Sequence, residues 1–219
     1  VHVIERYRER APATNTATLL DQIAAARARI PDAPDPAALI GLEGTAARAY
    51  FSAVMLFNLS KFPWPGRIHH PATDPVNALL SFTYTLLLQE IAALLEGHGL
   101  DPYTGFLHEL DYGRPSLALD LLEPFRHPVA DRLVLTLVNR GAFTESDFHV
   151  QPESKAVFLT RDALRRFFDY YERWMLAEPS LKSPPADAQL VPLKKRCSQV
   201  ASPAVETSPP VTVICTWSK

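Results

Sequence analysis

Two acidic side chains are embedded among leucines in residues 117–123, LALDLLE. Asp120 and Glu123 are three positions apart, so on a helix both carboxylates project from one face. Burying a bare carboxylate costs on the order of several kcal/mol, and a positive partner must therefore lie nearby. His108 precedes a turn at residues 113–115 that can fold its imidazole back toward the acids. One imidazole and two carboxylates form a suitable ligand set for a divalent metal ion.

A structural alternative explains the same residues without a metal. Arg114 and Arg126 flank the two acids and can neutralise them in a buried ion network. A single histidine such as His108 is more often a hydrogen-bonded structural residue than a ligand. Spacing alone does not separate the ion network from the metal site.

A third acid, Glu43, lies on the apolar stripe of a predicted helix, between Ile40 and Ala47. Gly41 and Gly44 flank it, although each glycine costs a helix interior about 1 kcal/mol relative to alanine. Such glycines are explained if another backbone or a ligand approaches closely. An isolated inward glutamate is more often paired or extended toward solvent, but the spacing predicts a third inward carboxylate.

The elements that position these acids are predicted to be helices. Asp74 and Pro75 form a cap-plus-proline start for a helix at 75–96, which is apolar on nearly all sides and is expected to be the buried centre of the domain. Periodicity, caps and stop signals predict helices at 16–30, 37–60, 128–139 and 160–174, a short helix from 101 toward 108, and a β-hairpin at 147–159. The fold class is therefore mainly α, with one short β-hairpin.

Composition divides the chain into three parts. Residues 1–37 are predicted to be a linker and lead-in helix, 38–176 a helical domain, and 177–219 a Pro/Ser-rich, largely irregular tail. The first residue is Val1, and we interpret the chain as a fragment or a processed chain.

Composition also narrows the class of protein. The 219 residues carry a net charge of −2, which excludes a generally basic nucleic-acid binder but leaves room for a local basic patch. Two cysteines, Cys197 and Cys215, form neither a metal motif nor a disulfide framework, so a reduced, cytoplasmic setting is expected. No apolar run is expected to span a bilayer, and no membrane partner is predicted.

A proline-rich loop at 61–73 combines basic and aromatic side chains: Trp64, Arg67, His69 and His70. Such a set can contact a DNA backbone and stack on bases, although a solvated loop fits the sequence equally well. Asn77, which follows the Asp-Pro start, either contacts phosphate or supports the helix cap.

Four motifs, in this order, resemble the CRISPR-associated integrase family, the catalytic subunit of the complex that inserts new spacers into CRISPR arrays. They are GLEGTAARAYF (41–51), HHPATDPVNALLSFTYTLL (69–87), GLDPYTGFLH (99–108) and GRPSLALDLLEPFR (113–126). The resemblance covers about residues 38–176 and implies the helical catalytic domain of that family. The family's amino-terminal β domain is expected to be absent from this chain, and its basic carboxyl-terminal helix has only a faint counterpart at residues 194–199.

The resemblance also implies roles for individual residues. Glu43, His108 and Glu123 match the family's metal ligands, and Asp120 matches an adjacent assisting acid. Carboxylate oxygens with one imidazole suit Mg²⁺ or Mn²⁺. The predicted DNA contacts are Arg67, Asn77, Arg114 and Arg126.

The implied activity is metal-dependent DNA integration, in which a 3′-hydroxyl attacks a phosphodiester. The implied partners are DNA, a second copy of the chain in a homodimer, and a small ferredoxin-like CRISPR adaptation protein. Two alternatives use the same helical domain: a simple metal-dependent nuclease, in which water is the attacker, and an inactive assembly module, which binds no metal.

Overall fold

The computed structural model describes residues 4, 7, 13–68, 71–108 and 111–176. They belong to two compact units: Val1–Phe82 with Asp131–Tyr171, and Thr83–Ala130 with Glu172–Lys219. The fold is mainly α with a two-stranded hairpin, which confirms the predicted fold class. His69, His70 and the 177–219 tail, with both cysteines, lie outside the described residues, and the predicted domain boundaries stay predictions.

The helices and strands of the described residues are, in chain order, α1 (Ala13–Ala28), α2 (Pro36–Met55), α3 (Pro75–Gly97), α4 (Ser116–Phe125), α5 (Arg132–Asn139), β1 (Phe148–Val150), β2 (Val157–Leu159) and α6 (Arg161–Leu176). Short 3₁₀ turns lie at Ile30–Asp32 and Glu145–Asp147, and a π-helical turn spans Arg126–Asp131.

In the first unit, α2 begins at a capped start. The Oδ1 atom of Asp35 accepts a hydrogen bond from the backbone N–H of Ala38 at 2.7 Å, and Pro36 occupies the first helical position. One stripe of α2 is buried: Ala46, Ala49, Tyr50, Ala53 and Val54. Small residues on this stripe allow close packing, and Tyr50 is fully buried with its hydroxyl donating to Asp131 at 2.9 Å.

The hairpin and α6 also belong to the first unit, up to Tyr171, and lie where the sequence predicts them. β1 and β2 pair antiparallel, with Phe148 opposite Leu159 and Val150 opposite Val157. Thr160 caps α6, since its hydroxyl accepts from the backbone N–H of Ala163. The buried residues of α6 are spaced by four, as an amphipathic helix requires: Ala163, Phe167 and Tyr171.

Helix α3 starts and ends as predicted. The backbone N–H of Asn77 donates to Asp74 Oδ1 at 2.8 Å, which confirms the cap, and the helix ends at Gly97. By length and composition alone α3 is apolar enough to cross a membrane, so the expectation that no run meets this criterion was wrong. Core helices pass the same test, and one stripe of α3 is fully buried in the protein: Leu79, Leu87, Ile91 and Leu95.

The core of the second unit forms between α3 and α4. Leu87, Ile91 and Leu95 of α3 pack with the apolar face of α4, which comprises Leu117, Ala118, Leu121, Leu122 and Phe125. Apolar burial of this kind contributes roughly 25 cal/mol per Å². The result is that α4, which carries Asp120 and Glu123, is fixed along its length.

Residues 101–108 form turns rather than the predicted short helix. Asp101 caps a local turn instead, because its carboxylate accepts from the Tyr103 backbone N–H and from the Thr104 hydroxyl, both at 2.9 Å. The carbonyl oxygen of Pro102 accepts from Leu117 and Ala118, at the start of α4. A carbonyl used in this way is not available for a helix of its own.

Two predicted helix limits were also wrong. Helix α2 ends at Met55 rather than near Ser60, because the Asn58 side chain hydrogen-bonds to the backbone of Ser60 and Phe62 and turns the chain. Pro128 does not begin a helix: α4 continues through the π-helical turn into α5. A π-helical turn accommodates a proline that lacks a donor and would clash in a regular α-helix.

Candidate active site

A buried aspartate organises the acidic turn of the second unit. The Asp120 carboxylate accepts three consecutive backbone N–H groups: Phe106 at 2.6 Å, Leu107 at 3.0 Å and His108 at 3.1 Å. A carboxylate has lone pairs enough to accept all of them and a further donor. Asp120 therefore fixes the backbone of residues 106–108 against α4.

The further donor is the His108 ring. Its Nδ1 atom lies 2.6 Å from Asp120 Oδ1, and the side chains are 20% and 8% exposed. An ionised carboxylate only accepts hydrogen bonds, so Nδ1 carries the proton and Nε2 keeps its lone pair in the neutral ring. This is the arrangement by which a carboxylate orients a histidine that binds a metal ion through its other nitrogen.

Glu123, one turn further along α4, has a different partner. Its Oε1 atom lies 2.7 Å from a guanidinium nitrogen of Arg126. The guanidinium of Arg126 also lies over the Tyr84 ring, 5.2 Å from the centroid, which adds a cation–π contact. The ion-pair alternative is thus present at Glu123, whereas Asp120 pairs with His108 rather than with an arginine.

Glu43 lies on α2 in the first unit and is half-buried. No hydrogen bond or ion pair engages its carboxylate within the part of the chain that the structure describes. The flanking glycines are open: a Cβ added at Gly41 or Gly44 meets nothing within 4 Å. Close packing of a protein backbone is therefore not the reason for these glycines in the described residues.

Close packing requires a glycine at position 105, which was not predicted from the sequence. A Cβ at this position would lie 2.6 Å from the Ser116 Cβ and 2.9 Å from the His108 carbonyl oxygen. Both distances are shorter than a van der Waals contact, so only glycine lets the 101–108 loop lie against the start of α4. The run Gly105–Phe106 before His108 is the signal that indicates this close approach.

One of the predicted DNA contacts, Asn77, lies in the interior of the protein. Asn77 is fully buried, and its amide donates to Gly66 and Asp74 and accepts from Ile68 and Arg67. The prediction that Asn77 contacts DNA directly was therefore wrong. The alternative holds, because Asn77 supports the helix cap and the preceding loop.

The three arginines differ in what they contact. Arg67 is half-buried and donates to Ile68, Asn77 and Ser81, so its guanidinium fixes the loop. Arg126 binds Glu123, as described above. Arg114 is exposed and accessible to a phosphate. Trp64, for which the sequence leaves a stacking patch and a solvated loop equally open, is buried.

The predicted ligands are divided between the two units. Asp120 and Glu123 lie one turn apart on α4, His108 lies on the loop that Asp120 holds, and Glu43 lies in the other unit. Among the described residues, no group of three or more His, Cys, Asp or Glu side chains is already arranged to hold a metal ion.

Together these features define a mainly helical protein in which a buried aspartate holds a histidine, and a second acid lies one turn further along the same helix. The sequence model of the family CRISPR associated protein Cas1 matches residues 1–173. This chain belongs to the Cas1 family.

Curated relatives carry the same family name. The chain is 45% identical over 148 residues to a CRISPR-associated endonuclease Cas1 of Chlorobaculum tepidum, an alignment covering 66% of this chain and 43% of the relative. It is 50% identical over 116 residues to a CRISPR-associated endonuclease Cas1 of Thermus thermophilus, covering 53% and 35%. The chain thus matches less than half the length of these relatives.

Solved structures share the fold. A Cas1 protein from Thermotoga maritima matches with a TM-score of 0.65 and 29% identity, over 73% of this chain and 53% of that one. A casposase bound to integration product matches with a TM-score of 0.65 and 25% identity, over 78% and 54%. A partial Cas6-RT-Cas1–Cas2 complex matches with a TM-score of 0.72 and 25% identity, over 90% and 59%.

Proposed function

We propose that this chain supplies the catalytic domain of a metal-dependent DNA integrase of CRISPR adaptation. In the proposed reaction a DNA 3′-hydroxyl attacks a phosphodiester, a new P–O bond forms, and the original P–O bond breaks. The observation that carries the proposal is the His108–Asp120 pair, in which Asp120 holds the ring so that Nε2 remains available.

The donor chemistry of the proposed ligands fits Mg²⁺ or Mn²⁺. Glu43 and Glu123 offer carboxylate oxygens and His108 one imidazole nitrogen, a combination that hard or borderline divalent ions accept. Glu43 is half-buried without a partner in the described residues, which an approaching cation would supply. Glu123 would share its charge between the metal and Arg126, whose ion pair keeps the carboxylate in place.

The residues of the chain have separate tasks in this reaction. When bound, the metal ion supplies the positive charge that polarises the scissile phosphate. Asp120 keeps the His108 ring in one orientation and one tautomer. Arg114, which is exposed, can contact a phosphate and position the strand. No covalent bond between the chain and DNA is required, since the attacking and leaving groups are both DNA oxygens.

The proposed partners follow from the family and its solved assemblies. DNA is the substrate, and a homodimer with a small Cas2 partner is the proposed assembly, supported by the Cas1–Cas2 complexes that share this fold. The proposed setting is the cytoplasm, where CRISPR DNA is located.

A strand-transfer assay with the 219-residue chain tests the proposal. A branched DNA substrate is incubated with Mn²⁺, and the joined product is measured for the parent chain, Glu43→Ala and the control Glu153→Ala, which removes an exposed acid of the hairpin loop. Joined product that Glu43→Ala loses and Glu153→Ala retains is expected. Equal amounts of joined product from all three proteins would contradict the proposal. So would the absence of joined product from the parent chain when its proposed partners are present.

A second candidate function is simple hydrolysis of DNA, which the name endonuclease on the curated relatives favours. It uses the same residues with water as the attacker. The product distinguishes the two reactions in the same assay, because hydrolysis yields cleaved strands without joined product.

A further inference from the structure

The arginine that follows α4 contacts both a carboxylate and an aromatic ring. One guanidinium nitrogen of Arg126 lies 2.7 Å from Glu123 Oε1, and the guanidinium carbon lies 5.2 Å from the centroid of the Tyr84 ring. All three residues belong to the second unit. A ring on α3 therefore contacts the partner of a proposed metal ligand that lies on a different helix.

The position of the Tyr84 ring follows from the packing of α3. Tyr84 is buried, and Leu87, three positions further along, lies on the same face of the helix. Leu87 belongs to the core that α3 forms with α4. A buried ring on a packed helix has little freedom to turn, so Tyr84 offers the guanidinium a fixed face.

The ion pair by itself is a weak support for the Glu123 carboxylate. Pairs three positions apart on a helix contribute little when both long side chains remain mobile in water. Here the Arg126 and Glu123 side chains are only 24% and 16% exposed, and a contact between a cation and a ring is stronger where water is excluded. The Nε atom of Arg126 is buried and has no hydrogen-bond acceptor in the described residues, so no bond at that nitrogen holds the guanidinium.

We propose that Tyr84 is a positioning residue for the proposed metal ligand Glu123 and that it acts through Arg126. The ring fixes the guanidinium, and the guanidinium fixes Oε1 of the carboxylate. A carboxylate that is already ordered loses less side-chain entropy when it binds a divalent cation. The inference rests on the proposed function, because it takes Glu123 as a ligand.

The sign of the change in metal affinity separates this role from a competing effect. The positive charge of Arg126 repels a divalent cation, and loss of the ring frees the guanidinium to move away from Glu123. If repulsion were the larger effect, removal of the Tyr84 ring would tighten metal binding. If positioning is the larger effect, as we propose, the same change weakens metal binding.

The first measurement uses the 219-residue chain without metal. Protons above the face of an aromatic ring resonate upfield in NMR spectra, so the Arg126 Nε–H proton reports whether the ring holds the guanidinium. Its signal should lie upfield in the parent chain and in Tyr84→Phe, which keeps the ring. The signal should return to its ordinary position in Tyr84→Leu, and an unchanged signal there would overturn the inference.

The second measurement is a calorimetric titration of the same proteins with Mn²⁺. Tyr84→Leu should weaken Mn²⁺ binding about 2- to 30-fold, the range from an exposed to a desolvated cation–π contact. Tyr84→Phe should bind Mn²⁺ as the parent chain does, even where loss of the hydroxyl lowers the melting temperature. Arg126→Lys keeps the charge but not the planar face, and adding Tyr84→Leu to it should change the affinity no further.

Phe143→Leu is the matched control. The guanidinium of Arg166 lies over the buried Phe143 ring, 5.8 Å from its centroid, and binds Asp147, an acid that is not a proposed ligand. This variant removes the same kind of contact from the first unit. It should lower the melting temperature and leave Mn²⁺ affinity unchanged.

The outcomes distinguish this inference from the proposed function. Unchanged or tighter Mn²⁺ binding by Tyr84→Leu, or an equal loss of affinity in Phe143→Leu, would overturn the positioning role and leave the proposed function in place. If Tyr84→Leu does not fold, Arg126→Lys decides, and parent-like Mn²⁺ affinity in that variant would overturn the role. A parent chain that binds no Mn²⁺ would overturn the proposed metal site and this inference together.

Discussion

Asp120 and Glu123 are alike in sequence but not in environment. Asp120 is buried, accepts three backbone N–H groups and binds His108, whereas Glu123 is half-buried and pairs with Arg126. The first arrangement suits an acid that orients another residue, and the second suits the ligand role proposed for Glu123. The first prediction is that loss of the Glu123 carboxylate is more severe than loss of the Asp120 carboxylate.

Glu123→Gln should abolish metal-dependent strand transfer and metal binding, because it removes a charged ligand. Asp120→Asn should weaken metal binding about 10–100-fold, as does the loss of groups that orient a ligand. The amide keeps one acceptor oxygen but adds donors that face the N–H groups of residues 106–108. Calorimetric titration with the metal ion measures both variants. Weaker metal binding by Asp120→Asn than by Glu123→Gln would make Asp120 the ligand and Glu123 the orienting acid.

Gly105 is the second residue on which the site depends. Gly105→Ala places a Cβ 2.6 Å from the Ser116 Cβ, and we expect a destabilisation of about 1–3 kcal/mol, the range for overpacking, together with reduced strand transfer. Gly97→Ala is the control, since a Cβ there meets nothing within 4 Å. Urea denaturation measures both, and equal stability of the two variants would contradict the close approach.

At the scale of elements, the 3₁₀ turn Glu145–Asp147 is joined to α6 by one carboxylate. Asp147 accepts from Thr144 and binds Arg166 of α6, with its side chain 14% exposed. Burial by itself raises the pKa of Asp147, but the Thr144 hydrogen bonds and the Arg166 guanidinium outweigh it and lower the pKa below 3.8. The carboxylate therefore stabilises the fold in its ionised form.

A pH dependence follows from the direction of this pKa shift. A lowered folded-state pKa adds stability that is complete above the unfolded value of 3.8 and is lost as the pH falls through the lowered pKa. Asp147→Asn should be about 1 kcal/mol less stable at pH 7, the net value of a typical hydrogen bond. The difference should shrink below pH 3.8 in urea denaturation, whereas a constant difference down to low pH would exclude the charge as its cause.

Asp162→Asn is the control for this comparison. Asp162 pairs with Arg165 one turn away on α6, and both side chains are mostly exposed. Exposed pairs of this kind contribute about 0–1 kcal/mol. If Asp162→Asn lost as much unfolding free energy as Asp147→Asn, the contact between the 3₁₀ turn and α6 would not be what stabilises the fold.

At the scale of the whole molecule, the prediction is that Mg²⁺ or Mn²⁺ raises the melting temperature. Binding to the native state alone stabilises by roughly 2.7 kcal/mol at a hundredfold excess over Kd. For a chain of this size that corresponds to about 5–10 °C. Differential scanning fluorimetry should show the shift in the parent chain and in Glu153→Ala, and a much smaller one in Glu43→Ala and His108→Ala. Equal shifts in all four would place the metal elsewhere.

The sequence by itself determined the elements whose causes are local. Asp74 with Pro75 begins α3, Thr160 begins α6, and the alternation near residues 148–159 gives the hairpin, because caps and periodicity act within a few positions. It also placed Asp120 and Glu123 on one helix, since their spacing is that of a helical turn.

Only the tertiary structure decided what those acids contact. Asp120 binds N–H groups 12–14 positions away, and the direction of a loop N–H is not written in any local period. The same long-range contacts converted the expected helix at 101–108 into a fixed loop and kept Phe106 at the surface. Burial then assigned Asn77 to the interior, because a side chain with every donor and acceptor used inside the fold has none left for DNA.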